Sequence, residues 1–221
     1  MSILPIDTGR YGTKEMLDIF REQKKIDYQL DIEAAAALSQ SEIGLIPASI
    51  ARNISKIAKS GKITAKRIKQ LEAKSDHDTA ALVEALAEKC NKESRPWIHY
   101  GLTSNDLVDT SNSMQMRDAI KIIQPKVSKL SLLLSKNAIK YNNLPAVGRT
   151  HGQHASIISF GLKFANWAAE MSTHLERLYE IKKRVLICKT MGVVGTGSLM
   201  GKNAIRVQER VARKLGLYPA K

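Results

Sequence analysis

Cysteine is scarce in this 221-residue sequence: the two present, Cys90 and Cys188, stand far apart and in no metal-binding spacing. That excludes a disulfide scaffold and a zinc ribbon, and it fits a reducing, cytoplasmic setting. Aromatic residues make up 5% of the chain, too few for the base-stacking sheet of a single-strand nucleic-acid binder. No apolar run reaches the roughly 18–20 residues that a membrane span needs. The opening Met1-Ser2-Ile3-Leu4-Pro5 lacks the basic-then-apolar layout of a signal peptide. Acidic residues are short as well, 21 against 35 Lys+Arg, for a formal net charge of +14. The lysines fall singly on helical patterns (Lys56, Lys59, Lys62, Lys66, Lys69) rather than in one block. The charge therefore reads first as a solvated basic surface and second as a funnel toward an anionic ligand.

What is present is helix after helix. Thr13 caps a helix through Glu15, Met16, Ile19 and Phe20 toward the Ala34–Ala37 run. Pro47 opens a second, which Gly61 ends. Thr64 starts a short one, and Asp78 or Thr79 caps another through Leu82, Leu86 and Cys90. A break without helical period follows at Ser94–Gly101. Beyond it, apolar residues at Met116, Ile120, Ile123, Val127, Leu130, Leu134 and Ala138 predict a long helix from Ser113 to Tyr141, bent but not ended by Pro125. A second stripe runs from Phe160 to Val185, and a shorter third covers Val207, Val211 and Leu215. The expected fold is all-α. A small helical N-terminal domain over 1–112 carries the substrate-binding loops, and the first long helices of an incomplete central bundle fill 113–221.

The polar residues gather in the breaks: Arg10-Tyr11, Asp76-His77-Asp78, His99 to Asp106, and Gly148 to Ala155. Each has an ordinary structural reading. Asp78 caps a helix, Thr103-Ser104-Asn105-Asp106 is a good helix start, and Arg149-Thr150-His151-Gly152 makes a surface turn. Together they read differently. A helix start at Thr103 and Ser104 offers free N–H groups and hydroxyls to an anion. Histidine moves protons near neutrality, and arginine beside tyrosine grips an anion next to an aromatic face. The combination describes a site for a multiply anionic small molecule worked by acid–base chemistry. His154, three residues after His151, could pair with it on a metal, but Gly152 opposes a helix there. His174, on the second stripe, reads as a packing histidine between helices.

These segments resemble a known family. Trp97-Ile98-His99-Tyr100-Gly101-Leu102-Thr103-Ser104-Asn105-Asp106-Leu107-Val108-Asp109-Thr110 is similar to the hallmark segment of the adenylosuccinate lyases, in the fumarase/aspartase superfamily. Gly148-Arg149-Thr150-His151-Gly152-Gln153-His154-Ala155 is similar to their second motif. Arg10-Tyr11 with Glu15-Met16, and Asp76-His77-Asp78, match them too. The resemblance implies β-elimination of fumarate from adenylosuccinate, giving AMP, and the same cleavage of the succinyl-carboxamide intermediate of purine synthesis. It implies no cofactor and no metal, a small-molecule nucleotide substrate, no nucleic-acid or membrane partner, and a cytoplasmic homotetramer whose active sites are each assembled from several subunits. Carried over residue by residue, His151 is the general acid and His77 sits beside it, orienting it or balancing charge. Arg10 and Tyr11 hold the nucleotide phosphate, and Asp76 to Asp78 line the pocket. Thr103 and Ser104 hold a carboxylate of the succinyl group, with His99 nearby.

One departure bears on activity. Family members are about twice as long, and the Ser-, Met-, Pro-, Lys- and Asn-rich loop that supplies their serine base has no match between Met1 and Lys221. The expectation is the N-terminal half of such a lyase, truncated or one piece of a split enzyme, and inactive alone. The alternatives are a sister lyase of the superfamily with another succinyl or amino-acid substrate, and a non-catalytic basic helical nucleic-acid-binding protein.

Overall fold

The computed structural model describes residues 11–221, so Arg10 lies outside the described residues. The chain is all-α, with two small strand pairs. In order come α1 (Lys14–Ile19), α2 (Glu22–Ser41), α3 (Ala48–Ala58), α4 (Ala65–Ser75), α5 (Asp78–Lys89) and α6 (Ser104–Lys140). The hairpin β1 (Pro145–Thr150) and β2 (Gln153–Ser159) leads into α7 (Phe160–Val185), followed by β3 (Ile187–Cys188), α8 (Ala204–Leu215) and β4 (Tyr218–Pro219).

Two compact units share these elements. One takes in the described residues up to Asp118 together with Lys183–Lys221; the other is Ala119–Lys182. In the first, α2 is buried over most of its surface, Tyr28, Leu30, Ile32 and Ala34–Ala37 among its hidden residues, while Lys24, Asp27 and Asp31 keep one polar edge less buried. It packs on α3, α4 and α8. Ile54, Leu82, Leu86, Val207 and Val211 are fully buried around it; burying each such side chain stabilises the unit by about 1.5–3 kcal/mol. The late segment closes the unit through a short parallel pair, with Tyr218 N–H donating to Leu186 O at 2.8 Å and Ala220 N–H to Cys188 O at 2.9 Å. Cys90 and Cys188 are free and buried, and burial pushes their thiols up to about 11 and about 12.

In the second unit the C-terminal part of α6 and most of α7 flank the hairpin. Tyr141, Phe160, Phe164 and Trp167 form a chain of ring contacts at 5.4–5.7 Å. Gly161 opens α7 against the end of α6: a Cβ there would lie 2.4 Å from the Ala138 carbonyl oxygen. Only glycine fits.

Several elements differ from the sequence expectation. Phe20 interrupts the first helix, leaving α1 and α2 separate. The cap of α5 is His77, whose ring nitrogen accepts from Ala80 N–H at 3.3 Å, and not Asp78 or Thr79. The helix start read at Thr103-Ser104 and the long helix read from Ser113 are one continuous helix, α6, which begins at Ser104 and passes through Pro125. His174 is half-exposed on α7 beside Glu170 and Arg177 of its own helix, rather than packed between helices. Among the described residues no helix is long and apolar enough to cross a membrane.

Candidate active site

The first unit contains a cavity of about 400 Å³ lined by His77, His99, Thr103, Ser104, Val83 and Val193 among others. Three loop ends converge on it. The first is the α4–α5 turn. Asp76 closes α4 in the left-handed region at φ 50, and His77 follows as the cap of α5. Asp78 turns back to its own helix, its Oδ1 accepting from Thr79 N–H at 2.6 Å. His77 thus lines the cavity, while neither Asp76 nor Asp78 is among its lining residues.

The second is the segment after the short 3₁₀ turn Arg95–Trp97. His99 adopts φ 62 and Gly101 φ 73. Gln40, buried on α2, donates to Tyr100 O at 2.6 Å, and the Trp97 and Tyr100 rings lie 5.3 Å apart. The buried Glu33 carboxyl meets His99 twice: Oε1 lies 2.6 Å from ring Nδ1, and Oε2 accepts the main-chain N–H at 3.0 Å. Burial alone would lower the His99 pKa. The hydrogen bond and charge of Glu33, with the charge of Asp106, outweigh it and raise the pKa above its ordinary 6.5.

The third is the start of α6. Asp106 reaches back so that its Oδ2 accepts Thr103 N–H at 3.1 Å and, from across the unit, Gly192 N–H at 2.8 Å. This carboxyl is fully buried, and its Oδ1 has no partner among the described residues. Burial pushes its pKa up against the lowering effect of the Gly192 and Thr103 N–H groups. The bond fastens the glycine-rich turn 191–197, which places Val193 at the cavity. Asp106 takes the Thr103 N–H, so this helix-start donor is not free for an anion; the Thr103 and Ser104 hydroxyls, at the cavity, have no hydrogen-bond partners among the described residues.

His151 belongs to the second unit. It occupies the tip of the β1–β2 hairpin with Gly152, at φ 50 and 73. This two-residue turn with both central φ values positive suits the twist of a hairpin. His151 and His154 are exposed, and Arg149 lies 3.4 Å from His154 across the ladder. Tyr11 is exposed at the start of the described residues. Among the described residues no group of three His, Cys, Asp or Glu side chains could hold a metal ion. Glu33 and Asp106 as a clamp were not singled out by sequence reasoning; their only sequence signal was an acid just before an alanine run and an acid three residues after Thr103.

A protein-family profile described as "Lyase" matches residues 9–220. The chain belongs to this lyase family. The family is part of the fumarase/aspartase superfamily. It is 44% identical to the adenylosuccinate lyase of Methanocaldococcus jannaschii over 99% of this chain and 47% of that protein. It is 37% identical to the N-acetyl-S-(2-succino)cysteine lyase of Enterococcus italicus over 95% of this chain and 46% of that protein. Among solved structures, a fumarate lyase from Mesorhizobium sp. BNC1 superposes with a TM-score of 0.88 at 30% identity, over 96% of this chain and 51% of that one. The chain thus spans about half the length of the curated lyases it matches.

Proposed function

We propose that this chain contributes to a carbon–nitrogen lyase that eliminates fumarate from adenylosuccinate, giving AMP, and from the succinyl-carboxamide ribotide of purine synthesis. The observation that supports this most is the cavity itself, where His77, His99 and the free hydroxyls of Thr103 and Ser104 meet at the start of a long helix. The 44% identity to an adenylosuccinate lyase supports the substrate.

The chemistry calls for these groups. Removing a proton from the carbon beside a carboxylate drives negative charge onto that carboxylate. Donors fixed in advance stabilise this charge more in the transition state than in the ground state. Thr103 and Ser104, at a helix start, are the donors for a succinyl carboxylate, with His99 beside them. The electron pair of the breaking C–N bond goes to nitrogen, which is a poor leaving group until protonated; His151 supplies that proton. His77 orients the acid or balances charge in the substrate. Arg10 and Tyr11 hold the phosphate, and Asp76 and Asp78 flank the pocket. The serine base lies outside these 221 residues. The working enzyme is a homotetramer, its site assembled from several subunits, acting in the cytoplasm on a small nucleotide without a cofactor. The division near residue 112 separates the region bearing the substrate loops from the bundle.

Fumarate release from adenylosuccinate tests this, with the chain alone and then mixed with a chain supplying the rest of the family's length. Activity only in the mixture is the expected result, and His151→Ala should lower it by about 10²–10⁴-fold. A silent mixture of folded partners would overturn the reading. The 37% identity to a lyase named for N-acetyl-S-(2-succino)cysteine favours a second reading, in which fumarate leaves a succinylated thiol. Faster turnover of that substrate than of adenylosuccinate would decide for it.

A further inference from the structure

We infer that Glu33 is a positioning residue for His99: one buried carboxyl group holds both the main-chain N–H and the Nδ1 of this cavity histidine, and so selects Nε2 as the nitrogen left for a ligand. The role in substrate binding rests on the reading of the cavity given above; the pairing itself does not.

Glu33 lies on α2, next to Ile32 and before Ala34–Ala37, with 2% of its surface exposed. A carboxyl group in such surroundings is costly unless its oxygens are bonded. Both are taken by one residue: Oε1 is 2.6 Å from His99 Nδ1, and Oε2 accepts His99 N–H at 3.0 Å. That residue is in the left-handed region, φ 62, which a side chain with a Cβ rarely adopts unless its surroundings hold it there. The two bonds hold the backbone and the ring together.

With Nδ1 committed to Glu33, Nε2 has no partner among the described residues, and His99 forms part of the same cavity wall as Thr103 and Ser104. Three ionisable groups face it: Glu33 from α2, Asp106 from α6, and His77 across the cavity from α5. The two carboxyl groups favour the protonated ring. A protonated ring with Nδ1–H given to Glu33 offers Nε2–H to an anion, which matches a succinyl carboxylate better than a neutral ring presenting a lone pair would.

The test is a pH titration of the histidine ring nitrogens by NMR in the 221-residue chain, with His99 assigned through His99→Asn. In the unmodified chain His99 should titrate above 6.5, and below that midpoint both ring nitrogens should carry protons. Glu33→Gln keeps an oxygen acceptor and removes the charge, and should lower the midpoint; Glu33→Asp should recover part of the shift. A midpoint at or below 6.5 in the unmodified chain overturns the proposal, whether or not any variant folds. So does a midpoint that Glu33→Gln leaves in place. No substrate enters this measurement. Failed fumarate release with the expected titration would remove the proposed reaction and leave Glu33 as the partner of His99. Successful release with an unmoved titration would do the reverse.

Discussion

At the scale of single residues, the site is built from side chains that each do two things. His77 lines the cavity and also caps α5, so a change there mixes chemistry with helix stability. The two separate by choice of substituent. His77→Ala should lose the cap and cost about 0.5–1 kcal/mol, whereas His77→Asn keeps a cap acceptor and should hold the thermal midpoint within a degree or two. Differential scanning calorimetry of the two variants checks this. His99 carries a pH signature. Its pKa is raised on folding, so the folded state binds the proton more tightly than the unfolded chain does. The stabilisation is complete below the ordinary value of 6.5 and is lost as pH rises through the raised value. Urea unfolding of the natural chain and of His99→Asn should therefore differ most at pH 6 and less at pH 9. A gap that widens with pH would contradict the pairing with Glu33. His77, His99, Thr103 and Ser104, which line the cavity, were marked in the sequence by motif and loop position. Glu33 was not, since a partner 66 residues away leaves no local trace.

At the scale of elements, the helices that were legible are those whose apolar spacing is regular. The span of α7 was readable to the residue, and Val207, Val211 and Leu215 were enough to find α8. The start of α6 was legible at Thr103-Ser104, but its continuity into the apolar stripe that begins after Ser113 was hidden for a physical reason. Its first turns bury Asp106, Thr110, Ser111 and Ser113, and polar residues in a core do not register in an apolar stripe. These positions are hydrogen-bonded instead: Thr110 Oγ1 to Lys189 O at 3.1 Å and Ser113 Oγ to Val185 O at 3.0 Å. The β1–β2 hairpin was equally silent, since most of its residues are exposed and the His151-Gly152 turn is its one local cue. Two glycines test how the second unit is made. Gly161→Ala drives a methyl group into the Ala138 carbonyl and the Asn142 backbone and should cost about 1–3 kcal/mol. Gly152→Ala meets no atom within 4 Å but must keep φ +73, so its cost of about 1 kcal/mol should stay local to the hairpin. Hydrogen exchange resolves the two: α6 and α7 amides lose protection in the first variant and keep it in the second.

At the scale of the whole molecule, the second unit leaves Leu130, Leu132, Leu133, Ile139, Trp167 and Tyr179 exposed. These exposed apolar residues on two long helices bear on the oligomer proposed above. Leu130→Glu with Leu133→Glu should shift the chain toward monomer in sedimentation velocity without changing its helical circular dichroism. A natural chain that is already monomeric at tens of micromolar would remove the argument. The net charge of +14 gives a further check: if it served nucleic acid, affinity for DNA would fall steeply with salt, and we expect no such specific binding.

The first unit is discontinuous: it needs Lys183–Lys221 to return to residues laid down more than sixty positions earlier. During synthesis the α6–α7 segment leaves the ribosome before α8 and β4 exist. Until they emerge, α2 lacks a neighbour and the parallel pair has one strand. The inserted unit can therefore form its local contacts first, while the unit bearing the cavity waits for Lys183–Lys221. Nascent chains arrested before Ala204 should be open to proteases at α2 yet resistant within α6 and α7.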